Sequence, residues 1–219
     1  MASPSLSLLS FEILTDKSVC ISVRFMQTSL DNSPRERIIA TALRLFYSQG
    51  YLATGINQII SEAKVAKATF YVHFPAKEAL CVAYLQARHV VWMAWLEESV
   101  AAKKTAAEKL MGVFDFLKEW MAESNFRGCA FLNIAAEIPS IDSKIRAEVI
   151  KHKDDLQAYL QGLVADLVAA NPARAGLDAK DTSEIIYVLV EGAIVASQNY
   201  GAIWPIEAAQ GAVRNLLNL

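Results

Sequence analysis

The sequence predicts an all-α protein with a small N-terminal unit and a larger C-terminal one. From Pro75 onward, apolar residues recur at helical spacing, and no segment alternates as a half-buried strand does. Two Ser/Thr-x-x-Glu capping boxes, beginning at Ser33 and Thr105, mark helix starts on either side of that point. Of the 219 residues, 54% are hydrophobic and only 6 are Pro and 9 Gly, which excludes disorder and collagen-like repeats.

The cysteines and the apolar runs indicate a soluble protein of the cytoplasm. Cys20, Cys81 and Cys129 are an odd and sparse set, unsuited to a disulfide framework. A charge or a glycine interrupts every apolar run short of the roughly 18 residues that a membrane span requires. Glu191 and Gly192 stand in the middle of the longest run. We therefore expect no membrane partner.

Charge is divided unevenly between the two parts of the chain. Residues 33–80 carry six Lys/Arg against three Asp/Glu, whereas residues 81–219 carry 13 against 17. A small basic module ahead of a larger acidic one is typical of nucleic-acid binding joined to a sensing or assembly domain.

Residues 1–32 form an extension, and its first 25 residues lack helical periodicity and the basic start of a signal peptide. Met26 stands just before a short polar stretch and the first helix start. Translation from Met26 and a disordered tail are therefore two interpretations of this extension. The predicted domains are then 33–76 and 77–219.

Residues 33–76 predict three helices. Ser33 caps the first, and Gly50 ends it. Thr54 can cap a short second helix, and a third runs over 66–74, where Pro75 closes it. Two short helices joined by a tight turn behind a longer one form a helix-turn-helix unit, in which the third helix enters the major groove of DNA.

The third helix has a side suited to DNA. Phe70 and Phe74, four residues apart, share its buried face, which leaves hydroxyl and cationic groups on the other side. Such groups suit phosphate oxygens and base edges, and the starts of the second and fourth helices can add phosphate contacts. The predicted DNA-binding residues are Thr54, Lys67, Thr69, Tyr71, His73 and Lys77.

The stretch from Ala63 to Glu78 reads Ala-Lys-Val-Ala-Lys-Ala-Thr-Phe-Tyr-Val-His-Phe-Pro-Ala-Lys-Glu. With Ile39–Phe46, Gly50-Tyr51 and Thr54 upstream, it resembles the signature of TetR-family transcriptional repressors. The resemblance implies about nine helices, a homodimer and DNA contacts at the positions matching Thr54, Lys67, Tyr71, His73 and Lys77.

The chain departs from that family pattern at three positions. The family usually has Gly where this chain has Lys64, Ser or Thr at Ala66, and often Gly at Ala68. We therefore expect a strained turn at Lys64 and a third helix that lacks a side-chain cap.

The sequence of the larger domain predicts six further helices. They cover about 77–100, 105–124, a short segment ending before Pro139, 141–170, 178–200 and 205–218. One face of the first carries Leu80, Tyr84, Ala87, Val91 and Trp95.

Each of the last two helices carries a stripe of apolar or small residues at helical spacing. In the family these helices pair with their symmetry mates as a four-helix bundle, so the resemblance implies a homodimer interface; intramolecular core is the alternative. The predicted interface residues are Ile185, Leu189, Gly192, Ala196, Val213 and Leu216.

An effector pocket needs aromatic walls and few polar anchors. The candidates are Trp95, Phe116, Trp120, Cys129, Asn133, Tyr187 and Glu191, with ordinary core as the alternative for each aromatic. Residues 127–137 also resemble a segment of one subset of TetR regulators, a likeness that names no ligand. Cys129 is either a thiol sensor or inert packing.

These observations predict a DNA-binding transcriptional regulator, a repressor released from its operator by an unknown small-molecule effector. An enzyme is the first alternative, but His73, His89 and His152 have no HExxH or triad-like company, and no nucleotide-binding or CxxC motif is present. No cofactor or metal is predicted. The second alternative is a helical interaction protein whose DNA-binding unit is non-functional.

Overall fold

The computed structural model describes residues 33–138 and 140–219, and the predicted extension with Met26 and Cys20 lies outside them. Within those ranges the chain forms nine α-helices, one short 3-10 helix and no strand, which confirms the all-α prediction. The helices are α1 (Pro34–Gln49), α2 (Ile56–Glu62), α3 (Lys67–His73), α4 (Lys77–Ala101), α5 (Ala106–Glu123), α6 (Ala130–Glu137), α7 (Lys144–Ala169), α8 (Ala179–Tyr200) and α9 (Trp204–Leu217), with the 3-10 helix at Pro172–Arg174.

Both capping boxes form as predicted. The Ser33 hydroxyl accepts from the Glu36 N–H, while the Glu36 carboxylate accepts from the Ser33 N–H at 2.7 Å. Thr105 and Glu108 make the same reciprocal pair at the start of α5. Each box satisfies N–H groups that the first helical turn leaves without intrahelical acceptors.

The start of α2 differs from the prediction that Thr54 caps it. Gly55 is the N-cap and makes no side-chain hydrogen bond. The Thr54 hydroxyl points inward and donates to the Gly50 carbonyl at 2.7 Å and to the Leu45 carbonyl at 3.4 Å. Thr54 therefore closes the loop after α1 from inside the core.

The helix predicted to start at Ile141 begins three residues later. Ser143 is the N-cap of α7, and its hydroxyl accepts from the Arg146 N–H at 3.1 Å. Ile141 is exposed because it precedes the helix. The end of α7 at Ala169 agrees with the prediction.

The core of the larger domain lies where α4, α5 and α7 meet. On α5 the apolar residues Leu110, Phe114, Leu117 and Met121 recur at helical spacing and are fully buried. The buried face of α4 is wider than predicted, since Trp92 and Leu96 are more deeply buried than Trp95. Asp178 caps α8, and Gly201 ends it at a φ of +59°. None of the described helices is long and apolar enough to cross a bilayer.

Candidate nucleic-acid interface and its junction with the larger domain

Helix α3 has one buried side and one side that faces solvent. Phe70 and Phe74 are buried against α1 and α2, as their spacing predicts. Lys67 and Tyr71 are exposed beside this buried face, Tyr71 by 43%, and the Tyr71 ring packs edge-on against Phe70. Thr69 and His73 are half-buried at the margins. The structure thus brings four of the predicted DNA-binding residues onto one short helix.

Sequence reasoning missed Val72 as a candidate DNA contact. Its side chain is 80% exposed, one residue before the end of α3. Val72 lies four residues after Ala68, which is also exposed, so both project from the same face. An exposed apolar side chain on a helix that enters the major groove suits the methyl group of thymine. Helical spacing from Ala68 is the signal that would have identified it.

The structure contradicts the DNA-facing role predicted for Thr54, whereas Lys77 is half-buried and its DNA contact stays a prediction. Thr54 is fully buried, and both its hydrogen bonds are to backbone carbonyls of its own domain, so its hydroxyl is out of reach of a phosphate. The Lys77 ammonium lies 4.4 Å from the centroid of the Tyr51 ring and 3.5 Å from the Leu52 carbonyl oxygen. Burial lowers the pKa of Lys77. Both residues brace the loop between α1 and α2.

The turn between α2 and α3 shows the strain expected at Lys64. Lys64 has a φ of +52°, a conformation that glycine adopts without a steric penalty. The Arg37 guanidinium supports the turn from α1 by donating to the Ala63 carbonyl at 3.2 Å. Ala66 is the N-cap of α3 and makes no side-chain hydrogen bond, as expected from the missing hydroxyl.

The DNA-binding unit is joined to the larger domain through Glu137, the last residue of α6. Its carboxylate accepts from the backbone N–H of Tyr51 at 3.1 Å and from that of Leu52 at 2.6 Å. Gly50 lies against the same carboxylate; a Cβ at this position would stand 2.9 Å from a Glu137 oxygen, and its φ is +94°. The positive φ favours glycine at position 50, and a Cβ there would also displace the Glu137 carboxylate.

A second set of contacts attaches the end of α1 to the loop before α6. The Tyr47 hydroxyl donates to the Gly128 carbonyl at 2.9 Å, and the Arg127 guanidinium donates to the Tyr47 carbonyl at 2.7 Å. The buried Arg88 of α4 lies over the Tyr47 ring, 4.3 Å from its centroid. Together with the Glu137 contacts these form what we call the junction between the two domains.

Three of the predicted pocket residues belong to a buried aromatic cluster. Phe116 and Trp120 are one helical turn apart on α5 with nearly parallel rings, and Trp95 packs edge-on against Phe116 at 5.1 Å between centroids. Trp92, which the prediction omitted, contacts Phe116, Trp120 and the imidazole of His152 on α7. The aromatic cluster consists of Trp92, Trp95, Phe116, Trp120, Phe131 and His152.

The aromatic cluster contacts α6 directly. The His152 ring stacks on Phe131 at 3.7 Å between centroids with planes 8° apart. Burial, and then the charge of Lys153, lower the pKa of His152 to about 2, so the ring is neutral at physiological pH. Because Phe131 and Glu137 are both on α6, this short helix contacts the core of the larger domain on one side and the DNA-binding unit at its end.

Three of the other four predicted pocket residues, Cys129, Tyr187 and Glu191, lie at a partly buried ion pair. The Lys153 ammonium is 2.8 Å from the Glu191 carboxylate and 3.5 Å from the Cys129 sulfur. Burial opposes the charge of Lys153, but Cys129 and Glu191 outweigh it and raise the pKa of the amine. Asn133 donates to the Arg127 carbonyl and accepts from Gln198. Tyr187 and Glu191 also line an open groove of about 500 Å³ on the surface of α8.

The predicted interface residues divide by exposure. Ile185 and Gly192 on α8 and Leu216 on α9 are exposed, while Leu189 and Ala196 are half-buried. Val213 of α9 is fully buried within its own chain, so its assignment to a dimer interface is wrong. The same surface exposes further apolar residues that the prediction omitted: Val188, Val195, Tyr200, Ile203 and Trp204.

Comparison with known proteins agrees with this division into two domains. The model for bacterial regulatory proteins of the tetR family matches residues 38–84, and that for a tetracyclin repressor-like C-terminal domain matches residues 106–213. The chain belongs to the TetR family. It is therefore a transcriptional regulator with a helix-turn-helix DNA-binding domain, which confirms the prediction from sequence and sets aside the enzyme alternative.

Individual relatives extend the similarity over most of the chain. The HTH-type transcriptional repressor NemR of Escherichia coli is 21% identical over 88% of this chain and 98% of its own length. The HTH-type transcriptional regulator LmrA of Bacillus subtilis is 28% identical over 84% and 96%. A TetR-family regulator from Streptomyces coelicolor has a solved structure that matches with a TM-score of 0.75 and 27% identity, over 84% of this chain and 94% of that one. Among the described residues of our chain, no group of His, Cys, Asp and Glu is arranged to hold a metal ion.

Proposed function

We propose that this protein is a homodimeric repressor, acting in the cytoplasm, that a small-molecule effector releases from its operator. The observation that carries the proposal is the exposed side of α3, where Lys67, Tyr71 and Val72 combine a cation, a hydroxyl and an apolar group. A cation and a hydroxyl position a protein on phosphates, and an apolar group reads thymine. NemR, which matches nearly the whole chain, is named a repressor.

A homodimer is supported by the apolar face of α8 and α9. Val188 and Trp204 are more than half exposed, and an open groove runs between the two helices beside Gly192. Exposed apolar patches of this kind mark interaction sites. A second copy of the chain covers the patch by two-fold symmetry. Two α3 helices then stand about 34 Å apart and enter successive major grooves on one face of the duplex.

Effector release requires that the larger domain influence the position of α3. The junction supplies the contacts, since Glu137, Arg127 and Gly128 all hold the segment from Tyr47 to Leu52. An effector lowers DNA affinity only if it binds more tightly to an arrangement of the dimer that does not fit the operator.

The first test is fluorescence anisotropy with the purified protein and the duplex upstream of its own gene. We expect affinity above that for a scrambled duplex, falling as salt concentration rises. Tyr71→Phe should weaken operator binding about thirtyfold, since each of the two subunits loses one hydrogen bond to phosphate. Tyr159→Phe, a half-buried tyrosine of α7 outside α3, the junction and the proposed dimer interface, is the matched control and should bind as the wild type does.

Equal affinity for the two duplexes would contradict sequence-specific recognition at that site. A genome-wide selection of bound fragments would then show whether another operator exists. If no fragment is enriched, the proposal of a sequence-specific repressor fails and the non-functional helix-turn-helix alternative stands.

A further inference from the structure

The core of the larger domain contains two indole N–H groups without an acceptor. Trp92 is 6% exposed and Trp120 is 2% exposed. Neither Nε1 atom has a hydrogen-bond partner among the residues that the structure describes. The two rings are in contact, with centroids 5.6 Å apart. Because nearly all buried polar groups in proteins are bonded, two such donors in contact require an explanation.

Neighbouring rings satisfy these donors only in part. Trp92 meets Phe116 and Trp120 edge to face, at interplanar angles of 75° and 77°. An N–H that points at a ring face forms a weak interaction, well below a hydrogen bond to oxygen. The cluster therefore keeps donor capacity that a carbonyl-type oxygen would use.

The charges around the aromatic cluster restrict what can bind there. Its His152 is neutral, and the nearby Lys153 is already paired with Glu191 at 2.8 Å. An indole nitrogen donates but does not accept. An anion placed against Trp92 and Trp120 would give up its hydration, and the nearby cations are already engaged, Lys153 with Glu191 and the buried Arg88 with the Tyr47 ring. Burying an unpaired charge is strongly unfavourable.

We propose that the aromatic cluster binds a neutral, planar ring compound whose carbonyl-type oxygen accepts hydrogen bonds from the indole N–H groups of Trp92 and Trp120. The inference rests on the proposed function, since it gives the chemical class of the effector. Trp95 is only half-buried and packs on Phe116, so it is the ring on the solvent side of the cluster that the ligand displaces. The Phe116 and Trp120 rings then stack with the ligand.

The test compares three probes of similar size by isothermal titration calorimetry on the full chain. 1-Tetralone has a ring system and a carbonyl oxygen, tetralin lacks the oxygen, and 1-naphthoate carries a charge. We expect 1-tetralone to bind about thirtyfold more tightly than tetralin, the value of two additional hydrogen bonds of about 1 kcal/mol each. 1-Naphthoate should bind more weakly than 1-tetralone.

Variants then assign the hydrogen bond to the two indoles. Trp92→Phe and Trp120→Phe keep an aromatic ring and remove the N–H, and we expect the preference for 1-tetralone over tetralin to shrink in each. Trp204→Phe removes an exposed indole of α9 and should leave that preference unchanged. If a variant fails to fold, ¹H–¹⁵N spectra of the wild type replace it: 1-tetralone should shift the indole N–H resonances of Trp92 and Trp120 downfield, whereas tetralin should not.

Equal affinities for 1-tetralone and tetralin would overturn the proposal, and so would absence of binding by all three probes at their solubility limits. Operator binding measured with and without 1-tetralone separates this proposal from the function on which it rests. A probe that binds the cluster but leaves DNA affinity unchanged supports the site and contradicts its role in release. A protein without specific DNA binding that still prefers 1-tetralone contradicts the repressor function alone.

Discussion

The Glu137 carboxylate accepts a 2.6 Å hydrogen bond from the backbone N–H of Leu52, across 85 positions of sequence and across the boundary between the two domains. A second hydrogen bond reaches the N–H of Tyr51. Hydrogen bonds to an ionised carboxylate are stronger than those between neutral groups. Glu137 thereby sets where the loop before α2 sits relative to α6.

We expect Glu137→Gln to weaken the junction without unfolding the protein. The amide has one oxygen where the carboxylate has two, so one of the two backbone N–H groups loses its acceptor. The free energy of unfolding should fall by about 1–2 kcal/mol. Amide hydrogen exchange at Tyr51 and Leu52 should accelerate, which NMR can follow residue by residue.

Glu98→Gln is the matched control for this change, since Glu98 is exposed on α4. Its exchange rates at Tyr51 and Leu52 should equal those of the wild type. Unchanged protection of both amides in Glu137→Gln would show that the carboxylate does not hold the loop.

Short-range features of this fold were predictable from sequence, and the junction was not. The two capping boxes depend on residues three positions apart, so their pattern is visible in the chain itself. Glu137 and Leu52 form no pattern that sequence reasoning can detect, because only the packing of α6 against α1 brings them together.

Two of the wrong predictions concern residues that tertiary packing buries, Thr54 and Val213. A threonine before a short helix suits the N-cap position, but the Thr54 hydroxyl instead points inward and donates to the Gly50 carbonyl of the loop after α1. On α9, Val213 and Leu216 belong to one helical stripe, yet Val213 is fully buried within the chain and Leu216 is exposed. Helical spacing identifies an apolar face but does not show whether the same chain or a second copy covers it.

Ala66→Ser should stabilise the DNA-binding unit. Ala66 is the N-cap of α3, in extended backbone conformation with a φ of −71° and a ψ of 149°, and its side chain offers no acceptor. A serine hydroxyl there can accept from an N–H of the first turn, which is worth about 1 kcal/mol. Urea denaturation monitored by circular dichroism measures the gain.

Ala68→Ser provides the comparison on the same helix, because Ala68 lies inside α3 and is also exposed. Serine is a poorer helix former than alanine at interior positions. The free energy of unfolding of this variant should therefore be lower by roughly a few tenths of a kcal/mol. A gain of similar size in both variants would mean that capping is not the cause.

Val188→Glu should dissociate the proposed homodimer. Val188 is 66% exposed on the apolar face of α8, beside the grooves formed with α9. In a two-fold symmetric interface each subunit would then bury one unpaired carboxylate, which is strongly unfavourable. Sedimentation equilibrium should report monomer, and operator affinity should fall because one α3 helix contacts DNA instead of two.

Val90→Glu is a control of equal exposure, since Val90 on α4 is also 66% exposed. It should leave both the molecular mass in solution and operator affinity close to the wild-type values. Dimers of unchanged stability in Val188→Glu would place the interface elsewhere on the molecule.

Stability should decline as pH falls below 6.5 because of the two histidines at the contact of α4 and α7. The Nδ1 atoms of His89 and His152 lie 3.0 Å apart, and burial lowers the pKa of both rings, that of His152 to about 2. The unfolded chain therefore binds protons near pH 6.5 that the folded protein does not bind. Stability is complete above that pH and is lost progressively as pH falls.

A single such histidine reduces the free energy of unfolding by up to about 1.4 kcal/mol per pH unit. Thermal and urea unfolding between pH 7.5 and 5.5 measures the slope, in a range above the ordinary pKa values of Asp and Glu. His152→Phe keeps a ring against Phe131 and removes the titrating group, so its slope should be shallower than that of the wild type. Equal slopes in the two proteins would exclude His152 as a source of the pH dependence.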